Sequence, residues 1–532
     1  MTNKFEEIKS AKHPLDIYPD ILRYAALGPD GWRAITDDDK ERLKWFGVFF
    51  RKPTPGHFMM RVRIPNGVVT AAQVRELATI TRTYGRDVID LTTRQQVQLR
   101  WMTIADVPDI LDRLHRVGLT TMQTGLDNSR NVVGCPLTGL TPHELFDAAA
   151  QVRRYHDLLL SDRVYANLPR KFNVSITGCL ENCTNAETQD IGLTPATREV
   201  GGVTVEGFNV RAGGKMGSGG MVPGWNLDAF VPLAEGGDLC ATITRIFALH
   251  GPREARSRAR MHFLIQDWGL ERFRAELEAL RGAPLLTAGR DARRTHRTDH
   301  LGFTQQKEPG RYAVGLCVPV GRSSAAEFHE IARLAETYGS GELRFTIDQN
   351  VILVNVPDKH LPDLLAEPLL KTLRPDPSHP QRGTVSCIGV DYCNLALAET
   401  KGAAREVVRH LEAVLPFSET RPVTMNWSGC PAACGNHQAS DIGFLGGKAR
   451  VEGQVVETFD VFVNGRTGID PRPGERVLEK IPASEIAAIA GQLVRAHSRG
   501  ESLVDAARSL AAFRAVEMPD EIEAPVAVAV AG

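Results

Sequence analysis

The chain has 532 residues, enough for several domains, and its formal net charge of −1 favours no polyanionic partner. Its start is charged and carries no apolar core segment, and no apolar run reaches the ~18 residues of a membrane helix, so we expect neither a secretory signal nor a membrane span. Nine cysteines in a chain of this length do not form a disulfide framework, which predicts a reducing, cytoplasmic compartment.

The predicted elements follow the same order twice along the chain. Each copy begins with a strand, a helix, two short alternating strands and a second helix. In the first copy these elements lie at 57–64, 70–84, 87–101 and 106–117, and in the second at 312–319, 323–338, 342–356 and 359–373. Tyr84 aligns with Tyr338, and Cys183 aligns with Cys434 at nearly the same offset, so a long segment is duplicated. The order predicts a split βαβ, ferredoxin-like half-domain in each copy.

Each half-domain continues into a second unit, in which a long helix (142–161; 397–413) precedes a strand (172–178; 423–428) and a C-x3-C motif. The predicted fold class is α+β (α/β mixed), with duplicated ferredoxin-like half-domains and two further α/β domains in pseudo-twofold symmetry. The predicted parts are an N-terminal extension at 1–50, a half-domain at 51–120, an α/β domain at 121–282, a linker at 283–310, a half-domain at 311–375, an α/β domain at 376–514 and a disordered tail at 515–532.

Four cysteines of the second copy form two pairs. Cys387 and Cys393 make a C-x5-C, and Cys430 and Cys434 make the C-x3-C of SGCPAACGNHQASDIGF. Together they supply the four thiolates that an iron–sulfur cube requires. A structural zinc site is an alternative, although a gap of five residues is wide for a zinc pair, and unrelated thiols are a third.

The first copy keeps three cysteines at matching positions. Cys135 aligns with Cys387, and Cys179 and Cys183 form the other C-x3-C, but Thr141 stands where Cys393 would align. Three thiols cannot complete a cube in the same way, so we interpret them as relics. A labile second metal site or a redox pair is the alternative.

Cations of the first copy interrupt segments that otherwise resemble core strands. Arg94 lies in LTTRQQ, Arg130 in DNSRN, and Arg170 and Lys171 in LPRKFN. The neutral Asn173 follows them in the last of these motifs. Any one of them could be a surface or ion-paired residue, but a buried cation needs an anionic partner. Together they favour a site for a small anion, because the guanidinium fork binds two oxygens at once.

These motifs resemble those of the siroheme-dependent nitrite and sulfite reductases. The resemblance extends from about residue 43 to 494. It includes the C-x5-C, SGCPxxCGxxQxxDIGF, FMMRVRIPNG, LTTRQ, DNSRN, LPRKFN, GFNVRAGG and GLCVPVGR. It implies that the α/β domains bind siroheme and a 4Fe–4S cluster.

The resemblance also implies roles for individual residues. Cys387, Cys393, Cys430 and Cys434 hold the 4Fe–4S cluster, and Cys434 is shared with the siroheme iron. Arg94, Arg130 and Lys171 bind the substrate on the opposite heme face, with Asn173 beside them. Further siroheme contacts are expected from Arg61, Arg63, Arg170, Asn436 and Gln438.

The residue at position 173 separates the two activities of the family. Sulfite reductases resemble RKFK there, whereas ferredoxin-type nitrite reductases resemble RKFN, as this chain does with Asn173. One cation fewer suits a singly charged anion. The resemblance therefore implies a ferredoxin–nitrite reductase of nitrate assimilation, which reduces nitrite to ammonia with six electrons.

No strand–GxGxxG–helix fingerprint is present, so we expect no flavin or nicotinamide module and a separate ferredoxin as electron donor. A monomer is expected, with no nucleic acid or membrane partner. Two alternatives remain open at this point. One is a ferredoxin-dependent sulfite reductase, and the other, of a different class, is an Fe–S redox sensor or electron carrier without a substrate.

Overall fold

The computed structural model describes residues 3–451 and 453–517, and the chain divides into two compact units. The first unit combines the described residues up to Lys215 with Pro223–Leu316 and Arg322–Pro375. The second combines Met216–Val222, Cys317–Gly321 and the described residues from Asp376 onward. This division groups several of the predicted parts together, and their boundaries stay predictions. The last helix, Leu503–Glu517, extends into the predicted tail, and 518–532 lie outside the described residues.

Two antiparallel sheets in the first unit belong to the ferredoxin-like half-domains. One has the strand order Val48–Phe50, Phe58–Val62, Val97–Met102, Ile89–Leu91 and Arg322–Ser323. The other has the order Gly302–Gln305, Arg311–Leu316, Val351–Pro357, Glu342–Phe345 and Val68–Thr70. Each sheet thus ends in a short strand from the other copy. This reciprocal exchange joins the two half-domains of the first unit by backbone hydrogen bonds.

Matching helices follow the exchanged strands. Ala71–Tyr84 begins with a capping box between Thr70 and Gln73, and Ala325–Tyr338 begins with the same device between Ser324 and Glu327. The two helices pack on each other. The predicted mixed α+β class with duplicated ferredoxin-like half-domains is confirmed.

A buried ion cluster holds the exchanged strand of the first sheet. Asp90 is fully buried and accepts hydrogen bonds from Arg100 Nε (3.0 Å) and Nη2 (2.9 Å) and from Arg322 Nε (2.9 Å). Arg322 comes from the second copy, so its ion pair spans the exchange. A buried carboxylate that lost these cations, or a buried cation that lost its carboxylate, would be strongly destabilising.

A third sheet of the first unit carries the first set of thiols. Its order is Trp225–Pro232, Val203–Ala212, Ile191–Val200, Phe172–Ile176 and Ser129–Val133, and Arg290–Asp291 pairs with Ile191–Val200. The last three strands of this order are parallel to one another. The predicted linker at 283–310 therefore contributes strands to two sheets, since it contains Arg290–Asp291 and Gly302–Gln305.

The sheet of the second unit repeats this topology. Its order is Thr384–Ser386, Met425–Ser428, Ile442–Val451, Gln454–Val463 and Glu475–Pro482, and its first three strands are again parallel. The carboxyl ends of adjacent parallel strands meet at one sheet edge. In both copies the cysteine motifs follow two of these parallel strands and therefore lie at this edge.

Helices cover these sheets. Those of the first unit are Lys4–Ala11, Tyr18–Ala25, Asp37–Arg42, Ala71–Tyr84, Val107–Arg116, Ala149–Leu159, Gly236–His250, Met261–Trp268, Leu270–Arg281, Ala325–Tyr338 and Leu361–Ala366. Those of the second unit are His379–Arg382, Gly389–Tyr392, Lys401–Val414, Ile486–Ser498 and Leu503–Glu517. Within the described residues, no helix combines the length and apolarity needed to cross a membrane.

One predicted helix is shorter than expected. The segment predicted as helix from 142 begins its helix only at Ala149. The residues before it form turns in which Thr138 Oγ1 accepts from the Ala148 amide (3.1 Å) and Asp147 Oδ1 accepts from the Ala149 amide (2.8 Å). These side chains compete with helical hydrogen bonds and so delay the start of the helix.

Replacement of Asp90 tests the ion cluster. Asp90→Ala leaves two arginines without their carboxylate, and we expect the free energy of unfolding of the first unit to fall by about 3–5 kcal/mol. The matched control is Asp30→Ala, which removes an exposed ion pair with Arg33 and should cost less than about 1 kcal/mol. Urea denaturation followed by circular dichroism measures both. Equal losses for the two variants would contradict the assignment.

Candidate functional site

Four thiols of the second unit follow two neighbouring parallel strands. Cys387 comes directly after Thr384–Ser386, and Cys430 and Cys434 follow Met425–Ser428. Cys393 follows the helix Gly389–Tyr392, whose Gly389 carbonyl accepts from the Cys393 amide at 3.1 Å. None of the four is in a disulfide. The strand pairing therefore brings both cysteine motifs to one edge of one sheet.

The thiols lie within electrostatic reach of one another. Burial and the neighbouring Cys434 raise the pKa of Cys387 to about 11. Burial also raises the pKa of Cys430, and Cys434, Cys393 and Cys387 add to the rise. Thiolates at these positions would repel one another, which is one reason why these pKa values rise. A cation that binds all four sulfurs removes this repulsion and favours the thiolate forms.

Backbone amides are directed at two of these sulfurs. The Gly429 amide donates to Cys387 Sγ at 3.1 Å, and the Leu395 amide donates to Cys393 Sγ at 3.4 Å. Such hydrogen bonds stabilise thiolates and tune the potential of iron–sulfur clusters. Gly435 permits the tight loop after Cys434, since an added Cβ would lie 1.9 Å from the Trp427 carbonyl oxygen. The donor set and its amides thus fit a cluster ligated by cysteine.

Exposure distinguishes one of the four cysteines. Cys430 is buried, Cys387 and Cys393 are half-buried, and Cys434 is exposed. A thiolate that binds a second group besides the cluster needs an open side. Among these residues Cys434 has the most open environment.

Polar groups of the loop after Cys434 form hydrogen bonds with other residues of the second unit. Asn436 adopts the left-handed conformation (φ 60°), and its carbonyl accepts from Asn426 Nδ2 at 3.2 Å. Gln438 Oε1 accepts from the amide of Met221, in the Met216–Val222 segment of the same unit. These contacts give both residues a structural role, and siroheme contacts from Asn436 and Gln438 stay a prediction.

A chain of hydrogen bonds in the first unit leads from a buried carboxylate to Arg94. Asp190 is fully buried and binds the Arg260 guanidinium at 2.9 and 3.0 Å. It also accepts from the Asn173 backbone amide (2.9 Å) and from Asn173 Nδ2 (3.3 Å). These donations direct Asn173 Oδ1 to Arg94, whose Nε donates to it at 3.0 Å. Asn173 therefore acts as an acceptor that orients the Arg94 guanidinium.

Arg130 lies among further cations. Its guanidinium donates to the Thr124 carbonyl and to the Leu126 carbonyl (2.9 Å). Burial, together with the neighbouring Arg61 and Arg94, lowers the pKa of Arg130 well below its usual value. A group of cations that repel one another is stabilised by a bound anion. This arrangement is compatible with the small-anion site that we expect from these residues.

The three predicted siroheme arginines lie in different environments. Arg61 is half-buried and donates to the Thr124 carbonyl at 2.9 Å, and Arg170 is also half-buried. Arg63 is fully buried and donates to the carbonyls of Gln123 (2.6 Å), Ser129 (2.7 Å), Arg130 (3.1 Å) and Met122 (3.2 Å). Burial lowers its pKa to about 10. This geometry favours a role for Arg63 in positioning the loop that carries Arg130.

Lys171 is half-buried and directly precedes the strand Phe172–Ile176. Three other residues near this site were not predicted from the sequence. They are Asp190, Arg260 and Lys215, all of them buried, and burial together with Arg260 lowers the pKa of Lys215. The repeat contains one signal for Asp190, because Asp190 aligns with Asp441. In the structure Asp441 likewise accepts from a backbone amide at the start of the strand before its thiol loop, that of Thr424 (2.8 Å).

Two family models match the chain. One, described as the nitrite and sulphite reductase 4Fe-4S domain, matches residues 125–284 and 380–505. The other, described as the nitrite/sulfite reductase ferredoxin-like half domain, matches residues 50–117 and 304–370. Both match twice, once in each copy of the repeat.

Relatives that are named as ferredoxin-dependent nitrite reductases match over most of their length. A ferredoxin–nitrite reductase of Synechococcus elongatus is 42% identical over 499 residues, which cover 92% of this chain and 96% of the relative. An assimilatory ferredoxin-dependent nitrite reductase of Haloferax mediterranei is 38% identical, covering 93% of this chain and 89% of the relative. The solved structure of the Mycobacterium tuberculosis NirA protein superposes with a TM-score of 0.86 at 32% identity, covering 94% of both chains.

A substitution of Arg63 separates positioning from siroheme binding. Arg63→Met leaves four carbonyls without their donor, so we expect the free energy of unfolding to fall by about 3 kcal/mol or more. The siroheme content of the remaining folded protein should be unchanged. Arg61→Met, two residues earlier in the chain, removes a carbonyl contact and is the matched control for stability, with a loss of about 1 kcal/mol. Loss of siroheme at unchanged stability would show instead that Arg63 binds the cofactor.

Proposed function

Because the chain belongs to the nitrite and sulphite reductase family, we propose that it reduces nitrite to ammonia with electrons from reduced ferredoxin. Its cofactors are siroheme and a 4Fe–4S cluster, as the family model and the nitrite reductase relatives imply. A monomer in the cytoplasm is part of the proposal. Sulfite reduction and an electron carrier without a substrate are not favoured by the relatives that match over the whole chain.

The thiols of the second unit are assigned to the cluster. We propose Cys387, Cys393, Cys430 and Cys434 as its ligands, supported by the placement of both cysteine motifs at one sheet edge and by the amides directed at Cys387 and Cys393. Cys434 is assigned as the thiolate shared with the siroheme iron, because it has the most open environment. Arg61 and Arg170 are assigned to siroheme carboxylates, and Asn436 and Gln438 to the surroundings of the metal centre.

When bound, the two cofactors supply the iron that takes up the substrate and the electrons that reduce it. The residues of the first unit recognise the anion. Arg94 and Arg130 present guanidinium groups to the nitrite oxygens and stabilise the negative charge that grows on a departing oxygen. Lys171 is the assigned proton donor, since an ammonium group releases a proton far more readily than a guanidinium.

The observation that supports nitrite over sulfite is the hydrogen bond from Arg94 to Asn173. Asn173 is neutral, so it keeps the positive charge of the site low, which suits a singly charged anion. Its amide is fixed by Asp190, and this leaves Oδ1 to hold Arg94. A lysine at this position would pair with Asp190 and offer Arg94 no acceptor.

Turnover measurements test the proposed function. The purified holoenzyme should show siroheme absorption, and with reduced ferredoxin or methyl viologen its kcat/KM for nitrite should exceed that for sulfite. A higher kcat/KM for sulfite would overturn the choice of substrate. Absence of siroheme after expression with an adequate siroheme supply would overturn the enzymatic assignment.

Substitution of Asn173 tests the origin of the preference. In Asn173→Lys, Arg94 loses its acceptor and the site gains a charge, so kcat/KM for nitrite should fall by about tenfold or more and the ratio to sulfite should fall with it. Asn226→Lys adds the same charge at an exposed strand position and should leave the ratio unchanged. An unaltered ratio in Asn173→Lys would show that this residue does not set the preference.

A further inference from the structure

The thiols of the first copy converge with a histidine from the predicted linker. Cys135, Cys179, Cys183 and His300 are all buried, and their ligand atoms lie within 4.8 Å of one another. Cys135 Sγ and His300 Nε2 are 3.6 Å apart. His300 thus provides the fourth ligand that the repeat alignment misses, since Thr141 stands at the counterpart of Cys393.

The fold delivers these four side chains from distant parts of the sequence. Cys135 and Cys179 follow the parallel strands Ser129–Val133 and Phe172–Ile176, which end at the same sheet edge. The linker is fixed over the C-x3-C loop by backbone hydrogen bonds. The Arg294 amide donates to the Leu180 carbonyl (2.6 Å), and the Thr298 amide donates to the Glu181 carbonyl (3.2 Å).

The backbone around His300 is adapted to this placement. His300 adopts a left-handed conformation with φ 59°, which few side chains favour. Its carbonyl passes close to Gly315, where an added Cβ would lie 1.9 Å from the carbonyl oxygen. The close approach of the linker therefore depends on a glycine in the neighbouring strand, Arg311–Leu316.

The spacing of the ligand atoms fits a single metal ion. With Zn–S bonds of ~2.3 Å and Zn–N bonds of ~2.0 Å, tetrahedral zinc holds its sulfurs ~3.8 Å apart and sulfur and nitrogen ~3.5 Å apart. The observed Cys135–His300 distance of 3.6 Å matches the second value. In an iron–sulfur cube each thiolate binds a different iron, so its ligands are spread more widely. Soft thiolates with one imidazole are the donor set that zinc prefers.

We propose that Cys135, Cys179, Cys183 and His300 bind one structural Zn²⁺ ion. The three thiols bind as thiolates and release their protons to solvent, and no redox step is involved. On one side the ligands pack against Leu137, Ala313, Ile352 and Val354, which belong to the same buried cluster. Four buried protein ligands complete a tetrahedral shell and leave no position for a substrate, so the ion stabilises the fold. It ties the linker to the sheet that carries Asn173.

Metal analysis of the holoenzyme tests this site, and its result does not depend on which anion the enzyme reduces. We expect about one zinc per chain in addition to the iron of the cofactors. Zinc-edge X-ray absorption should show three sulfurs at ~2.3 Å and one nitrogen at ~2.0 Å. Because this measurement uses the unaltered protein, it does not require any variant to fold.

Variants locate the ion. Cys179→Ser and His300→Asn should lose the zinc and melt at a lower temperature, while siroheme absorption and iron content per folded chain stay unchanged. Asparagine tolerates the left-handed backbone of His300, so this variant removes the ligand without adding backbone strain. Cys240→Ser is the control, because Cys240 is an equally buried thiol outside the cluster and its replacement should retain the zinc.

Three results would overturn the proposal. One is a holoenzyme without zinc whose three thiols are free. Another is a disulfide among Cys135, Cys179 and Cys183, seen as a mass loss of two hydrogens that reduction reverses. The third is iron in place of zinc, seen as iron beyond the content of siroheme and cluster that disappears in Cys179→Ser.

Discussion

Both copies of the repeat depend on an aspartate that fixes the strand before the thiol loop. Asp441 accepts from the amide and the hydroxyl of Thr424 (2.8 and 2.7 Å), and Asp190 accepts from the amide of Asn173, which aligns with Thr424. These contacts set where each strand begins, and the thiol loop starts a fixed number of residues later. The position of every cysteine in the two C-x3-C motifs follows from this constraint.

The two copies use this common frame for different chemistry. In the second copy a small polar side chain, Thr424, faces the aspartate. In the first copy Asn173 and the buried Arg260 contact the aspartate instead. The side-chain oxygen of Asn173 also accepts a hydrogen bond from Arg94. The thiols diverge in the same way, because the second copy has Cys393 directly after the short helix Gly389–Tyr392, whereas the first copy has His300 from the linker. The same sheet geometry thus carries an asparagine that is hydrogen-bonded to Arg94 in the first copy and a threonine at the matching position of the second.

The sequence predicted the features that depend on local pattern. The repeat, the helices with capping boxes at Thr70 and Ser324, and the four cysteines of the second copy are encoded in short motifs. The exchanged strands, Val68–Thr70 and Arg322–Ser323, are too short to show a period, so the reciprocal pairing was not predictable. His300 was missed because its partners are distant in sequence, and spacing rules apply only to ligands on neighbouring turns. The role of Arg63 was missed because a basic residue in a strand does not show that carbonyls surround it.

We propose that one repeated sheet presents two sets of thiols to two different metals. Anomalous diffraction from crystals of the holoenzyme, recorded at the iron and zinc absorption edges, measures this directly. We predict an iron peak bound by Cys387, Cys393, Cys430 and Cys434, and a zinc peak enclosed by Cys135, Cys179, Cys183 and His300. Iron at the thiols of the first copy, or thiols of the second copy that touch no iron, would contradict the account.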